Sequence, residues 1–307
     1  MLSNIKNKKI GKKIKNSKIY KNIKKIMNIK YYKIENKVVR NMQLEQEAYK
    51  KLKRKYSYVI DNFKELSYDE YKKSNKVWIF WMQGIENAPV LVKKCIQSIE
   101  KNLPNRKIII INENNIKDYV SFPNYVIDKF KKGIITYTHF SDLLRIELLA
   151  KYGGLWLDST VLCTSSEVPD YILNAPLFVY KSVNLDKQDS IVPIASSWLI
   201  SSYANNNIVL LTKELLHEYW KKENKLINYF LLHLFFAMAA EKYKDEWNTI
   251  PTFNNINPHI LQFELLNKYT KERFQQIEKM SCFHKLNRRI ENNKEEKDTF
   301  YDYIINN

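Results

Sequence analysis

The hydrophobic pattern of the central part of the chain predicts short apolar strands that alternate with amphipathic helices. Continuous apolar runs occur at residues 77–81, 107–111 and 155–157, and segments with helical spacing of apolar residues separate them. Two further apolar runs follow at 176–180 and 195–200. Continuous rather than alternating apolar strands are typical of a parallel sheet covered by helices on both faces. The pattern therefore predicts an α/β fold with a mostly parallel, Rossmann-like sheet.

The stretch 138–165 is the most informative part of this pattern. Apolar residues at helical spacing lead to the pair Gly153-Gly154, which favours the end of a helix. The apolar run 155–157 then leads directly into Asp158. Because ligands of open α/β sheets bind outside the carboxyl ends of the strands, Asp158 is the first candidate for a functional side chain.

The rest of the chain predicts one domain with two flanking segments. We expect a basic, helical or partly disordered N-terminal extension over residues 1–75, a folded domain over 76–290 and a polar C-terminal tail over 291–307. Within the domain, the pattern predicts a long helical region at 208–243, a loop around Trp247 and a helix over about 257–279, before an apolar closing segment.

Charge is concentrated at the N-terminus. The formal net charge is +18, but residues 1–40 hold 14 Lys and Arg residues against the single acid Glu35, and residues 41–307 hold 37 against 32. The folded part is thus only mildly basic, and no nucleic-acid partner is expected. The basic tract has isoleucines every three to five positions, so it is either an amphipathic helix on an anionic membrane surface or a biased tail whose helicity is incidental. The pattern alone leaves both open.

Cysteine usage and hydropathy predict a cytoplasmic protein. The three cysteines Cys95, Cys163 and Cys282 are far apart and lack CxxC spacing, which favours a reducing compartment without disulfides or a zinc cluster. No apolar segment of a secretory signal follows the basic N-terminus, and the most apolar segment, 226–240, is too short to span a bilayer. Binding of residues 1–40 to lipid would place the protein at the inner face of the cell membrane.

The chemistry-bearing residues are carboxylates and an arginine. The chain has no GxGxxG, GxxxxGK[ST], GxSxG or HExxH motif, so a dinucleotide site, a P-loop, a serine hydrolase and a zinc protease are not expected. Asp142 and Arg145 are spaced i,i+3 and share one helix face, while Asp158 follows the next strand. Taken singly, the pair could be an ordinary intrahelical ion pair, and Asp158 an ordinary residue of a turn.

Together these residues resemble a known motif. The pattern SDLLRxELLxKYGGxWLD at 141–158 is similar to the DXD-type sugar-binding region of family 32 glycosyltransferases, and most of all to the bacterial capsular polysaccharide synthesis subgroup. Residues 80–89 resemble the W-x-QG-x-x-x-AP opening of that family. Its later blocks are matched by Ser197-Trp198, Tyr229-Phe230 with His233, residues 247–251 and His284-Lys285-Leu286. The resemblance covers about residues 76–287.

This resemblance implies a GT-A fold and transfer of a sugar from a nucleotide-sugar donor to a hydroxyl, with retention at the anomeric carbon. It implies an oligosaccharide or lipid-linked glycan acceptor of the kind used in building surface polysaccharides. By position, Asp142 and Arg145 would hold the donor sugar, Asp158 would lie beside ribose, sugar and metal, and the ring of Trp81 would stack on the nucleobase. The remaining residues implied in donor binding are Gln83, Ser197, Trp198, His284 and Lys285.

One departure concerns the metal. The DXD pattern here is Asp158-Ser159-Thr160, so a threonine replaces the second carboxylate, the usual direct metal ligand. A hydroxyl binds Mg²⁺ or Mn²⁺ much more weakly than a carboxylate does. Our expectation is that Asp158 and the diphosphate still recruit a divalent ion, with Lys285 and His284 sharing the charge. Two alternatives stay open: a nucleotide-sugar-binding protein without turnover, suggested by Thr160, and a basic membrane- or nucleic-acid-binding protein, suggested by residues 1–40.

Overall fold

The computed structural model describes residues 36–181, 194–253, 255–288 and 297–307. The strands are β1 (Lys76–Phe80), β2 (Lys107–Ile111), β3 (Gly154–Leu157), β4 (Val161–Cys163), β5 (Leu177–Lys181), β6 (Ala195–Ser202) and β7 (Phe283–Lys285). The helices are α1 (Lys37–Asp61), α2 (Val90–Asn102), α3 (Ile116–Tyr119), α4 (Asn124–Lys131), α5 (Tyr137–Tyr152), α6 (Asp170–Leu173), α7 (Asn207–Lys222), α8 (Leu231–Lys242), α9 (Lys244–Thr249), α10 (Ile260–Glu264), α11 (Lys271–Met280) and α12 (Phe300–Asn306). The prediction for the basic tract lies outside the described residues, except for its last five.

The central sheet has five strands in the order β2-β1-β3-β6-β5. Strands β2, β1 and β3 are parallel, and β6 is antiparallel to both of its neighbours, β3 and β5. Four of the five strands therefore point the same way, which confirms the predicted mostly parallel sheet. Helices cover it, and every residue of β3 is buried. The register places Trp78 opposite Trp156, so the carboxyl ends of β1 and β3 lie side by side.

The predicted turn between α5 and β3 requires two glycines. Thr136 caps the start of α5 by accepting a hydrogen bond from the His139 backbone N–H, and Gly153 ends the helix with φ of +63°. Gly154 follows with φ of +101°, and a Cβ there would lie 2.4 Å from the backbone oxygen of Lys76. Only glycine permits this close approach of β3 to β1.

The prediction of one long helical region at 208–243 is wrong in one respect. The structure has two helices there, α7 and α8, joined by residues 223–230. The hydroxyl of Tyr219 donates to the Lys225 backbone oxygen and accepts from the Ile227 backbone N–H, at 2.6 and 2.8 Å, and so holds the chain in a turn. Helix α8 is apolar almost all round, and packing against α7 and α1 buries it.

Three local predictions also differ from the structure. Trp247 lies in the short helix α9 rather than in a loop. The helix expected over 257–279 is divided into a 3₁₀ turn, Asn257–His259, and the helices α10 and α11. Strand β4 was not predicted, and it pairs antiparallel with the closing strand β7 in a separate two-stranded sheet. This second sheet borders the site described below.

Both flanking segments contain packed helices. In the predicted extension, α1 buries Leu52 and Tyr56 against the main core, where the Tyr56 ring lies 5.7 Å from that of Phe235. In the predicted polar tail, α12 buries Phe300 and Ile304 in a second apolar cluster. The division of the chain into three regions stays a prediction. Among the described residues, none of the helices combines the length and the apolar character needed to cross a membrane.

Candidate active site

A cavity of about 970 Å³ opens at the carboxyl ends of β1 and β3. This is the edge of an α/β sheet where ligands bind. Six of the residues singled out from the sequence line it: Trp81, Gln83, Arg145, Asp158, Thr160 and Lys285. Residues that are 204 positions apart in the chain are thus brought to one cavity.

Asp158 lies between two cations. Its backbone N–H donates to the Trp198 backbone oxygen on β6 at 2.9 Å, which fixes its place beyond β3. Its Oδ1 accepts hydrogen bonds from Trp156 Nε1 at 3.1 Å and Arg145 Nη2 at 3.3 Å, and its Oδ2 lies 3.1 Å from Lys285 Nζ. Burial alone would raise the pKa of Asp158, but Lys285, Arg145 and the Trp156 hydrogen bond outweigh burial and hold that pKa below its ordinary value. Asp158 is therefore a carboxylate at neutral pH.

Arg145 is held by α5 and β6 on the wall of the cavity. Its Nη1 lies 3.3 Å from Asp142 Oδ1 and donates to the Ser197 backbone oxygen at 3.0 Å, and its Nη2 donates to Ser141 Oγ at 3.3 Å. Its guanidinium also lies over the Trp156 ring, 5.0 Å from the centroid. Asp142 is buried behind Arg145, outside the cavity lining, and burial raises its pKa against the opposing effect of Arg145. Asp142 thus orients the guanidinium from behind.

Lys285 reaches Asp158 and Thr160 from the second sheet. The β4–β7 register places Lys285 opposite Val161, and the Leu286 backbone N–H donates to the Thr160 backbone oxygen at 2.9 Å. Lys285 Nζ then donates to Thr160 Oγ1 at 2.6 Å in addition to its contact with Asp158. The hydroxyl of Thr160 is thus bound to a lysine ammonium.

Trp81 and Gln83 form the opposite side of the cavity. Trp81 follows β1, and its backbone N–H donates to the Ile111 backbone oxygen at 2.9 Å. The guanidinium of Arg288 lies over the Trp81 ring, 5.2 Å from its centroid. A half-buried aromatic face beside a guanidinium is suited to a flat, anion-bearing ligand.

Besides Asp142, three predicted donor-binding residues do not line the cavity: Ser197, Trp198 and His284. Ser197 and Trp198 contribute their backbone oxygens to Arg145 and Asp158, and the Trp198 ring stacks instead on Tyr180 at 5.1 Å. The His284 side chain is fully buried with Nε2 3.1 Å from Thr164 Oγ1, and burial lowers its pKa to about 4. Neighbours on a strand point to opposite faces, so Lys285 and His284 cannot both face the cavity.

The prediction from the sequence missed several residues of the cavity. Arg288 lies just beyond the closing block and had no local signal. The apolar pattern places Trp156 in the buried strand and does not reveal that its indole N–H orients Asp158. Ser141 is spaced i,i+4 from Arg145, and this spacing would have indicated their contact. Tyr137 and Tyr229, both 61% exposed, lie at the rim.

The donor set for a metal ion is small. In the part of the chain that the structure describes, no group of three or more His, Cys, Asp or Glu side chains could hold a metal ion. Asp158 is the one carboxylate among the described residues of the lining. These residues do not fit a divalent cation held by the protein.

Comparison with known proteins decides the family. Residues 25–304 match the family described as capsular polysaccharide synthesis protein. The chain belongs to this family. The resemblance inferred from residues 141–158 and the later blocks is therefore confirmed, and it extends into both segments that flank the predicted domain. The cavity around Asp158 is the candidate active site of this member of the family.

Curated relatives of this chain match a shorter stretch. The O-glycosyltransferase braB of Annulohypoxylon truncatum is 30% identical over 92 residues, which are 27% of this chain and 22% of the relative. The glycosyltransferase afumC of Aspergillus fumigatus is 27% identical over 99 residues, 29% of this chain and 25% of the relative. The chain thus spans about a quarter of the length of these relatives. Among solved structures, PaToxG glycosyltransferase matches with a TM-score of 0.37 and 15% identity, over 79% of this chain and 87% of that one.

Proposed function

We propose that this chain is a retaining, GT-A-type glycosyltransferase that moves a sugar, a hexose, from a nucleotide-sugar donor to a hydroxyl of a growing capsular-type polysaccharide. The observation that carries the proposal is the Asp158 carboxylate at the end of β3, held between Arg145 and Lys285 in a cavity that also contains Trp81. Membership of a capsular polysaccharide synthesis family and similarity to two curated glycosyltransferases support glycosyl transfer.

The charge of the cavity suits a nucleoside diphosphate. Among the described lining residues, Arg145, Lys285 and Arg288 are cations and Asp158 is the single acid, so the lining has a positive excess. A sugar diphosphate is an anion, and its charge grows on the leaving oxygen as the bond to the sugar breaks. Fixed cations in a partly enclosed cavity stabilise that charge without reorganisation.

The carboxylate suits the other half of the reaction. The bond from the anomeric carbon to the diphosphate oxygen breaks with its electron pair on the diphosphate, and the ring acquires oxocarbenium-like charge. The ionised Asp158 stabilises that positive charge. The acceptor hydroxyl oxygen then bonds to the same face of the anomeric carbon, and its proton passes to the departing diphosphate. Retention on this route follows from attack on the face that the diphosphate leaves.

The remaining groups would position the donor and the acceptor. The Trp81 face would stack on the nucleobase, with Gln83 in the same cavity, and Arg145, oriented by Asp142, would hold the sugar hydroxyls. The exposed rings of Tyr137 and Tyr229 are suited to an acceptor sugar, because sugars pack their apolar faces on aromatic rings. A lipid-linked acceptor would also agree with the proposed membrane contact of the basic residues 1–40.

The test is a thermal-shift screen of the full chain with UDP, GDP, ADP, CDP, dTDP and their sugar conjugates, followed by an assay of nucleoside diphosphate release from the best conjugate. A ligand that binds only the folded state raises the melting temperature. We expect one nucleotide family to bind, its sugar conjugate to be hydrolysed slowly in water, and Asp158→Asn to abolish hydrolysis while the protein stays folded.

Other results would favour a different function or contradict the proposed one. Binding without hydrolysis, or without transfer to capsular oligosaccharides, would favour a nucleotide-sugar-binding protein. A fully active Asp158→Asn variant would remove Asp158 from the reaction. A folded protein that binds none of these nucleotides would contradict the proposed function.

A further inference from the structure

We infer that the ammonium of Lys285 takes the place of the divalent cation at the DXD position of this protein, so that the donor diphosphate binds without a metal. The inference rests on the proposed function and replaces the expectation that Asp158 recruits an ion. Lys285 lies in the lining of the cavity and contacts both side chains that the motif places at the metal site, Asp158 and Thr160.

The ammonium and a metal ion would need the same atoms. Lys285 Nζ lies 3.1 Å from Asp158 Oδ2 and 2.6 Å from Thr160 Oγ1. A metal ion bound to these two oxygens would have to displace the ammonium, because two positive ions cannot occupy the same place. Asp158 Oδ1 offers no alternative, since Trp156 Nε1 and Arg145 Nη2 already donate to it.

The oxygen atoms at this site also favour the lysine ammonium over a divalent metal ion. Mg²⁺ and Mn²⁺ prefer charged oxygens, and Mg²⁺ needs near-octahedral geometry. Thr160 supplies a neutral hydroxyl where the resembled motif has a carboxylate, and a hydroxyl is a good acceptor for an ammonium N–H. The neutral hydroxyl of Thr160 therefore suits the ammonium of Lys285 better than it suits a divalent ion.

Lys285 is held in place before any ligand binds. Strand β7 pairs with β4 through the residues that follow Thr160, and the hydrogen bond from the Leu286 N–H to the Thr160 oxygen ties the two segments together. An ammonium has three N–H donors. Two point to Thr160 and Asp158, and within the described part of the chain the third is left for a ligand oxygen in the cavity.

Arg288 completes the cationic side of the site. Its guanidinium lies 5.2 Å from the Trp81 ring centroid and lines the same cavity as Lys285. A nucleoside diphosphate with its base at Trp81 would thus have its phosphates between a guanidinium and an ammonium. Together they supply two positive charges, the charge of one divalent ion.

The experiment measures the affinity of the full chain, by calorimetry, for the nucleoside diphosphate that gives the largest thermal shift among UDP, GDP, ADP, CDP and dTDP. Wild type, Lys285→Met, Lys101→Ala and the double variant Thr160→Asp/Lys285→Ala are each titrated in EDTA and in Mn²⁺. Lys101 is the matched control, because it is an exposed lysine on α2 outside the cavity. The double variant restores two carboxylates and removes the ammonium.

We expect wild type and Lys101→Ala to bind in EDTA with a dissociation constant within about twofold of that in Mn²⁺, and Lys285→Met to bind about tenfold or more weakly in EDTA. Mn²⁺ should strengthen binding by the double variant about tenfold or more, because it then has the ligands of a metal site. Such a gain also shows that the variant is folded.

Two results would overturn the inference. If wild type binds the nucleoside diphosphate only with Mn²⁺, binding requires a metal ion, and the proposed transferase function still stands. A Lys285→Met variant with wild-type affinity in EDTA would remove Lys285 from the site. A wild type that binds no nucleotide in either buffer would instead contradict the proposed function, and the inference with it.

Discussion

At the scale of single residues, the candidate site depends on side chains whose partners fix their protonation. Asp158 stays ionised because Lys285 and Arg145 outweigh the effect of burial on its pKa, whereas burial dominates the pKa of Asp142. The two carboxylates belong to one local motif and differ in their environment. Asp158 is available to a ligand, whereas Asp142 forms an ion pair with the guanidinium of Arg145.

His284 should make the folded protein sensitive to mild acid. Burial lowers its pKa from 6.5 to about 4 in the folded state. Between these values the unfolded chain binds more protons, so stability is complete above about pH 6.5 and is lost as the pH falls toward 4. Complete loss would amount to about 3 kcal/mol, at 1.36 kcal/mol for each pKa unit.

The measurement is urea unfolding of wild type and His284→Gln at several pH values between 4 and 7.5 (about one unit apart). The variant should lose less stability on acidification than wild type does. Thr164→Ala is the control, because it removes the hydrogen-bond partner of His284 without removing the titrating ring. Equal loss of stability in wild type and His284→Gln would contradict the assignment.

At the scale of the elements, the turn from α5 into β3 places the site. It sets the distance between β3 and β1, and through β3 the position of Asp158 beside Trp81. At Gly154 the turn has no room for a side chain, since a Cβ there would meet the Lys76 backbone oxygen on β1.

We expect Gly154→Ala to destabilise the protein more than Gly133→Ala. Both glycines have positive φ, +101° and +69°, which costs an alanine roughly 1–2 kcal/mol. At Gly133 nothing lies within 4 Å of the new Cβ, whereas at Gly154 the Lys76 oxygen lies at 2.4 Å and adds a steric cost of about 1–3 kcal/mol. Urea unfolding of the two variants measures the difference, and equal destabilisation would show that the contact with β1 does not matter.

At the scale of the whole molecule, charge and fold are distributed separately. The positive excess is concentrated before residue 41, while the described part of the chain carries the sheet, the cavity and both apolar clusters. This separation allows the membrane prediction to be tested without disturbing the site.

Deletion of residues 1–35 should abolish binding to vesicles that contain phosphatidylserine and leave nucleotide binding unchanged. The segment holds 12 lysines and one acid, and each lysine near an anionic surface contributes about 1 kcal/mol. Cosedimentation with anionic and with neutral vesicles, at low and high salt, measures the effect. A truncated protein that still binds anionic vesicles would contradict the prediction, and loss of nucleotide binding would mean that the segment contributes to the site.

The features that depend on near neighbours in the chain could be predicted from the sequence. The strand runs, the helix stop at Gly153 and the placement of Asp158 beyond β3 all follow from local spacing, and the motif at 141–158 was enough for the family. The break between α7 and α8 escaped prediction because apolar periodicity looks the same in one long helix and in two helices that pack on each other.

Contacts between residues that are far apart in the chain depend on how the elements pack. Lys285 and Thr160 are 125 positions apart, and the pairing of β4 with β7 brings them together. The same register turns His284 into the interior and Lys285 into the cavity, a choice that adjacent positions in a short strand do not reveal. The physical reason is that local spacing specifies helices, strands and their ends, whereas register and packing between elements decide which side chains share a cavity.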